Sequence, residues 1–331
     1  MEIIRKGKRT YELSIEGKKL DTPAIIPSIS STVSYLSIYE SLDILMQKNS
    51  KSFLFSAFDF YNEKNPEDRK KLKYVLETAS SRGSVVFLDS GGYEALQVRK
   101  DWDIEQFFSV VEQLDLDAYF SYDTLADGDA TIDDFVDRIS EDSVRTMSTQ
   151  NRGITIPVLH SFGFTWSEVI ATVVRSMHPK MIAIPEDDLG RNLEDKVNKV
   201  KEIRSLLDGK HSYIPLHILG VGKPIPILLY SLAGADTFDG LGWLTSLINP
   251  KDLSTTEIDY SNFFPLDCKC ESCLSKSRNP RSWKAMHNLD FLTNFTSEVR
   301  SSLAKGDIAG LLSKYNIGSE LEGMVRTIWD H

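Results

Sequence analysis

The chain has 331 residues, of which 41% are hydrophobic and 26% are charged, an ordinary composition for a soluble globular protein with a large core. Its formal net charge of −10 argues against broad electrostatic attraction to nucleic acid, although it is compatible with a local basic groove. Segment 1–10 is basic but has no apolar core, and no apolar stretch reaches about 18 residues, so we expect a cytoplasmic protein without a membrane span.

Eight short apolar runs recur along the chain, each followed by a polar or glycine-containing turn and then by a helical pattern. They are Thr22–Pro27, Ser52–Phe58, Ser84–Asp89, Asp117–Asp123, Ile154–His160, Lys180–Ile184, Tyr213–Leu219 and Ala235–Asp239. This alternation favours a closed parallel barrel over an open doubly wound sheet, which would show the same pattern. We therefore predict an α/β fold, a (β/α)8 TIM barrel, in a single domain that spans residues 1–331.

Two of the helical patterns have clear ends. Apolar residues at helical spacing run from Trp166 to Met177, and Thr165 with Glu168 has the spacing of a capping box at the start. A second amphipathic pattern extends from Val197 to Leu207 and stops before glycine 209, a typical C-terminal signal.

Polar residues follow the predicted strands, at the end of a barrel where catalytic groups lie. They are Asp89, Asp123, His160, Glu186, the turn Gly220–Gly222, and Asp239. An aspartate after a strand is also a common helix N-cap, so a purely structural role stays open for each one taken alone. Asp89 and Asp239 differ because each lies in an apolar, glycine-containing context, where an unpaired charge would be costly without a role.

Three cysteines are crowded into positions 268, 270 and 273, and a histidine follows at 287. The odd count and tight spacing argue against disulfides, whereas three thiolates and one imidazole complete a closed tetrahedral zinc site of the structural type. The ligands would be Cys268, Cys270, Cys273 and His287. Three reduced surface cysteines are the alternative. We predict a zinc-binding subdomain over residues 249–287, inserted after the eighth strand, followed by one or two C-terminal helices over residues 288–331.

Four motifs in this order resemble the tRNA-guanine transglycosylases and their DNA-modifying relatives. The third predicted strand ends in Asp89-Ser90-Gly91-Gly92-Tyr93, and Gly220-Val221-Gly222-Lys223-Pro224 follows the seventh. The eighth ends in Phe238-Asp239, and the cysteine cluster is completed by Met286-His287-Asn288. The order and approximate spacing hold from about residue 22 to about residue 306. The resemblance implies a zinc-containing barrel that exchanges a base in nucleic acid.

By this resemblance, the site residues have definite roles. Breaking an N-glycosidic bond passes through an oxocarbenium-like transition state, which a carboxylate can capture as a covalent intermediate while a second group protonates the leaving base. Asp239 matches the nucleophile and Asp89 the acid/base group. Asp123 matches the residue that reads the guanine edge, and Tyr93 the residue that stacks on the base. Gly220 and Gly222 are assigned to substrate binding.

Other positions depart from the pattern of the tRNA enzymes. His160-Ser161-Phe162-Gly163 stands in place of Gln-Gly-Gly, and Ile184-Pro185-Glu186 in place of Gly-Gly-Leu. Because proline has no backbone N–H, the base pocket must be rebuilt there. His160 could donate to a purine acceptor. Glu186 could pair with an aminomethyl or amidine-like substituent on a deazapurine, although a solvated glutamate at a helix start is the simpler interpretation.

The segments expected to contact nucleic acid also differ. Residues 240–247 contain no arginine, so the phosphate clamp of the tRNA enzymes is missing at its usual place. Between Cys273 and His287, basic residues interleave with a tryptophan, which indicates either a backbone-binding patch or a solvated loop. These residues are Lys276, Arg278, Arg281, Trp283 and Lys284.

The sequence as a whole predicts a pentosyltransferase that replaces guanine by a 7-deazaguanine, the chemistry of queuosine-type modification, with DNA slightly favoured over tRNA. A tRNA-guanine transglycosylase proper, a nucleoside or base hydrolase, and a non-catalytic partner of an active paralogue are the alternatives; retention of Asp89 and Asp239 counts against the last. The expected partners are nucleic acid and the deazaguanine base, and no membrane. A homodimer or a helper protein stays open, as does any role for Asp59.

Overall fold

The computed structural model describes residues 1–33, 36–123, 131–149, 152–209, 212–257, 266–275 and 280–330. Its first element is an antiparallel sheet of three strands in the order β1-β2-β3. The strands are β1 (Glu2–Gly7), β2 (Thr10–Ile15) and β3 (Lys18–Thr22).

The main sheet of the described residues has eight strands, each parallel to its neighbours. They are β4 (Ala24–Ile29), β5 (Ser52–Ser56), β6 (Val85–Asp89), β7 (Ala118–Phe120), β8 (Ile154–Ile156), β9 (Ile182–Pro185), β10 (Leu216–Leu219) and β11 (Thr237–Gly240). Their order is β8-β7-β6-β5-β4-β11-β10-β9. The two ends of this order also meet, because a parallel bridge pairs Val158 with Ala183 and the Leu159 amide donates to the Ala183 carbonyl at 2.8 Å. The predicted α/β barrel is confirmed as a nearly closed one.

Helices connect the strands and continue beyond the barrel. They are α1 (Ile38–Gln47), α2 (Ala57–Asn62), α3 (Pro66–Ser81), α4 (Gly92–Val98), α5 (Ile104–Val111), α6 (Ile132–Thr149), α7 (Trp166–Met177), α8 (Leu193–Asp208), α9 (Pro224–Ala233), α10 (Gly242–Thr245), α11 (Glu271–Leu274), α12 (Pro280–Lys305), α13 (Ile308–Leu312) and α14 (Ser319–Asp330). A 3₁₀ helix, Glu186–Leu189, follows β9, and a short antiparallel pair, β12 (Ser246–Ile248) and β13 (Thr255–Glu257), follows β11. Over the described ranges, no helix combines the length and the apolar character needed to cross a bilayer.

The predicted start of α7 and the predicted C-terminal end of α8 are confirmed. The Thr165 hydroxyl accepts from the Glu168 amide at 3.3 Å, and the Glu168 carboxylate accepts from the Thr165 amide at 2.9 Å, which is the reciprocal capping box. Helix α8 ends at Asp208, next to its C-cap glycine.

The predicted apolar runs are longer than the strands they contain. The run Ser52–Phe58 includes β5 and also the buried first turn of α2, so burial continues after the backbone changes from strand to helix. The run Tyr213–Leu219 yields a strand only from Leu216, because Pro215 cannot donate a ladder hydrogen bond.

The N-terminal sheet covers the amino-terminal end of the barrel. Leu13 and Leu20 pack in one apolar cluster with Val85, at the start of β6. Lys18 forms an ion pair with Asp117, the residue that precedes β7, and donates to Ser80 at 2.6 Å. The carboxyl ends of the strands lie at the opposite end of the barrel.

The C-terminal region is one long helix and two shorter ones in the described residues, rather than one or two helices. Helix α12 begins at Pro280, so the predicted boundary between residues 287 and 288 lies inside it. Its residues Leu289, Leu292 and Phe295 are buried, as predicted from their apolar spacing.

Candidate active site and metal centre

A pocket of about 650 Å³ opens at the carboxyl end of the barrel strands. Six of the residues that the sequence analysis assigned to catalysis or substrate binding line it: Asp89, Tyr93, Asp123, Gly220, Gly222 and Asp239. Residues at or just after the carboxyl ends of β6, β7, β10 and β11 thus meet in one space, as expected for a parallel barrel.

Asp239 is held by donors on both carboxylate oxygens. The Ser28 hydroxyl donates to Oδ2 at 2.7 Å, and the Gly220 amide donates to Oδ1 at 3.0 Å. The His217 ring nitrogen Nε2 lies 3.1 Å from Oδ1, and Nδ1 lies 2.8 Å from the Thr237 hydroxyl. Because a carboxylate only accepts, Nε2 donates to Asp239 and Nδ1 can accept from Thr237. The carboxylate, only 7% exposed, is therefore fixed on β11 while it borders the pocket.

Asp89 lies at the end of β6, where the chain turns sharply. The Gly91 amide donates to its Oδ2 at 2.9 Å. Gly91 has φ +86°, and a Cβ there would lie 2.6 Å from the Phe58 backbone nitrogen, so both conformation and close packing require glycine. Burial, with the nearby Glu94 carboxylate, raises the pKa of Asp89 to about 8. Near neutral pH this side chain is largely a carboxylic acid.

Glu94 is a pocket residue that the sequence analysis missed. It lies in the first turn of α4, is 5% exposed, and accepts from the Ser56 hydroxyl at 3.0 Å. Burial raises its pKa to about 7, and Asp59 adds to the effect. Asp59 itself is buried and accepts from the Ser31 amide at 2.8 Å. A carboxylate only five residues after Asp89, on the same strand-to-helix turn, was the available signal for Glu94.

Asp123, His160 and Asp188 form a hydrogen-bonded row beside the pocket. His160 Nε2 lies 2.6 Å from Asp123 Oδ1, and Nδ1 lies 2.5 Å from Asp188 Oδ2. Burial opposes the charged ring, but the two carboxylates outweigh it and raise the pKa of His160 to about 9. Both ring N–H groups are engaged, so the structure does not direct either of them at a bound base.

The remaining predicted pocket residues differ in exposure and in packing. Tyr93 is 53% exposed at the mouth, which suits a ring that stacks on a ligand. Gly222 lies against the turn after β11, since a Cβ on it would be 2.6 Å from the Gly242 amide nitrogen. Trp243 holds that turn by donating from Nε1 to the Ser28 carbonyl at 2.8 Å.

Glu186 lines the pocket and has two partners. The Tyr230 hydroxyl donates to it at 2.7 Å, and Lys196 Nζ lies 3.6 Å away. It is therefore held in place rather than simply solvated. Of the described residues that line the pocket, six are aspartate or glutamate residues and one, Lys223, is a cation. The acids are Asp89, Glu94, Asp123, Glu186, Asp187 and Asp239.

The predicted metal ligands converge between the loop around α11 and the N-terminal part of α12, which supplies His287. One donor atom from each of Cys268, Cys270, Cys273 and His287 lies within 4.8 Å of the others. His287 Nε2 lies 3.0 Å from the Ile248 carbonyl and donates to it, which leaves Nδ1 as the ligand atom. Nδ1 lies 3.3 Å from the Cys273 sulfur and 3.5 Å from that of Cys270. The donor set and this second hydrogen bond fit a structural metal.

No protein-family model matches the sequence. The tRNA-guanine(15) transglycosylase of Thermococcus onnurineus (strain NA1) is 22% identical to the chain over an alignment of 334 positions, which covers 92% of the chain. The chain fits the tRNA-guanine transglycosylase superfamily. The resemblance predicted from the motifs is thereby confirmed. The matched region is 54% of the relative, so the chain spans about half the length of that transglycosylase.

The segments that carry the transglycosylase resemblance meet at two places. Three of them, which include Asp89, Gly220 and Asp239, contribute to the pocket lining, and the fourth supplies His287 to the metal centre. Residues far apart in sequence are therefore brought together in the groups that the motifs predicted.

The basic segment before His287 has a different environment from the one predicted. Lys276 and Arg278 and the side chain of Arg281 lie outside the described residues. Trp283 is 3% exposed and Lys284 is 2% exposed within α12. These two side chains are therefore part of the interior, and both predicted interpretations, a backbone-binding patch and a solvated loop, are wrong for them.

Proposed function

We propose that this protein exchanges guanine in nucleic acid for a 7-deazaguanine derivative through a covalent glycosyl intermediate on Asp239. The observation that supports the proposal is that one pocket contains two carboxyl groups, Asp89 and Asp239, whose environments differ. Asp239 is held by the donors Ser28, His217 and Gly220, whereas burial raises the pKa of Asp89 to about 8. Acids whose environments differ in this way are suited to separate nucleophilic and acid/base roles.

In the proposed reaction, a carboxylate oxygen of Asp239 bonds to the sugar C1′ as the N-glycosidic bond to guanine breaks. Asp89 transfers its proton to the departing guanine. An incoming deazaguanine then gives a proton to Asp89, and its nitrogen displaces Asp239 from C1′. The cycle returns both carboxyl groups to their starting states and needs no other reactant.

Binding of the base is assigned to the pocket mouth. Tyr93 provides an exposed ring for stacking, which typically contributes about 1–3 kcal/mol per base. Asp123 would accept hydrogen bonds from the ring N–H and exocyclic amine of guanine. Because the pocket is recessed among the strand ends, the target nucleotide must leave its stack to enter.

We favour DNA over tRNA as the polymer, because residues 240–247 supply no arginine for a phosphate clamp. The relative from Thermococcus onnurineus is a tRNA-guanine(15) transglycosylase by name, so tRNA is the second candidate. A non-catalytic partner subunit would need neither a carboxylate held by several donors at Asp239 nor a carboxyl group with a raised pKa at Asp89.

The metal we propose is zinc, with a structural role. Cys268, Cys270, Cys273 and His287 would fill all four positions of a tetrahedral ion, which leaves none for substrate. The bound ion would supply a fixed cross-link and no step of the reaction.

The deciding experiment is incorporation of labelled guanine, run in parallel on bulk tRNA and duplex DNA. We expect label to enter one polymer, and Asp239→Asn to lower the rate about 10⁴-fold or more because it removes the nucleophile. Binding to the same polymer should change little, and the wild type should leave a nucleic-acid adduct that survives denaturation. Asp137→Asn, which neutralises an exposed carboxylate on α6, is the matched control. Unchanged turnover in Asp239→Asn would exclude the nucleophile assignment.

A further inference from the structure

The row Asp123–His160–Asp188 joins the ends of three consecutive barrel strands. Asp123 follows β7, His160 follows β8, and Asp188 belongs to the 3₁₀ helix after β9. Each ring nitrogen lies within 2.6 Å of a carboxylate oxygen. Asp123 lines the pocket, whereas His160 and Asp188 reach it through Asp123.

The chemistry of the row determines its protonation. Ionised carboxylates only accept hydrogen bonds, so a ring between two of them must donate from both nitrogens and is therefore an imidazolium. The side chain is only about one-tenth exposed, so burial opposes the charge, but the two adjacent carboxylates outweigh that cost; the Phe162 ring lies 4.9 Å away, centroid to centroid. In the described residues the titratable groups in contact with the ring are Asp123 and Asp188, and Asp89 faces Asp123 across the pocket.

We propose that His160 and Asp188 are positioning residues that orient Asp123 for reading the base. The imidazolium fixes Asp123 through Oδ1, so Oδ2 is held in one orientation for the N–H groups of a bound purine. Asp188 acts one step further away, by keeping the ring charged and turned toward Asp123. The role in base reading rests on the proposed function, whereas the charged state of the row does not.

This arrangement differs from direct recognition by histidine. A ring N–H that donated to a purine acceptor would have to leave a charge-assisted bond to a carboxylate, and such bonds are about twice as strong as neutral ones. The carboxylate of Asp123, held in one orientation by His160, therefore provides the specificity for the base on this side of the pocket.

The first test is NMR of the wild-type protein with ¹⁵N-labelled histidine, with His160→Gln used to assign the signal. We expect His160 to stay doubly protonated at pH 8, and Asp188→Asn to shift its titration below pH 8. Asp137→Asn should leave the titration unchanged. A wild-type ring that titrates near its ordinary value of 6.5 would overturn the proposal, and if no variant folds, so would a wild-type spectrum in which none of the six histidines stays doubly protonated at pH 8.

The second test is exchange kinetics on the polymer that accepts label. We expect Asp188→Asn and His160→Gln to raise the KM for the free base about 10-fold, with kcat changed less than about threefold. Asp188→Asn should add a new ionisation, with kcat/KM falling as the pH rises through about 7, where the ring loses its charge. Asp188→Glu should restore much of the affinity. Equal losses in kcat and no new ionisation would indicate a merely structural role. If the wild type shows no exchange, the proposed function is wrong. The NMR result still determines whether the His160 ring is charged between Asp123 and Asp188.

Discussion

Asp89, the proposed acid/base group, lies near a second carboxyl group, Glu94. Asp89 is partly buried and Glu94 is buried, and loss of solvent is the largest cause of the pKa increases to about 8 and about 7. Two such groups close together share their protons, so their titration belongs to the pair. A proton is thus retained near neutral pH at the place where a leaving base would need one.

Glu94→Gln tests this environment through stability. The folded pKa of Glu94 exceeds its ordinary value of 4.5, so the folded protein loses stability as the pH rises from about 4.5 to about 7. The variant removes that penalty and can still accept from Ser56. We expect it to match the wild type near pH 4.5 and to exceed it at pH 8, by on the order of 1–3 kcal/mol.

Urea unfolding at the two pH values measures the difference. Glu202→Gln, at a partly exposed site on α8, is the control and should show no comparable pH dependence. A Glu94→Gln variant that is equally stable or less stable than the wild type at pH 8 would contradict the raised pKa.

Some residues of the site could be predicted from the sequence and others could not. Asp89, Asp123 and Asp239 each end an apolar run, so their position at a common rim follows from the strand pattern. His217 and Ser28 lie within apolar strands and reveal themselves only by their contacts with Asp239. Asp188 was hidden because its partner, His160, lies 28 residues away in sequence.

At the level of elements, burial determined what could be predicted. The eight barrel strands were recognisable because they are buried and read as nearly continuous apolar runs. The N-terminal sheet was missed because β1 and β3 carry exposed charges that obscure the alternation, although β2 is largely buried. The α12 start was misplaced because Pro280 at its first turn precedes a polar stretch without an apolar pattern.

The same helix connects the metal centre to the strand that bears Asp239. His287 binds the Ile248 carbonyl, and Asn288 accepts from the Ile248 amide at 3.0 Å and donates to the Trp243 carbonyl at 3.0 Å. Trp243 in turn bonds to Ser28, a partner of Asp239. A structural metal would therefore stabilise the turn after β11 as well as its own loop.

Removal of one ligand tests that connection. We expect His287→Ala to bind less than one equivalent of zinc and to lower the melting temperature by roughly 5–10 °C, because it removes a cross-link and leaves the Ile248 carbonyl unpaired. Metal analysis and thermal unfolding provide the measurements. Lys269→Ala, at an exposed site between two of the cysteines, should behave like the wild type. Full zinc content in His287→Ala would contradict its role as a ligand.

The molecule is negatively charged as a whole, and the pocket where the base would bind is lined mainly by acidic residues. The net charge is −10, and the described pocket lining has six acids against one lysine. Even with Asp89 largely protonated near neutral pH, such a field favours ligands that carry positive charge and disfavours anions. Nucleic acid must therefore approach against the overall charge, whereas a cationic base is attracted.

This field predicts a preference among incoming bases. We expect a 7-aminomethyl-7-deazaguanine to have a KM about 10-fold lower than its neutral 7-cyano counterpart at low salt, because an ammonium near Glu186 gains a fixed carboxylate partner. Added salt should reduce the difference by screening. Glu186→Gln should reduce it too, with Glu202→Gln as the control. Exchange kinetics with both bases at 20 and 300 mM salt measure the effect, and equal KM values at low salt would show that the pocket's charge does not select the base.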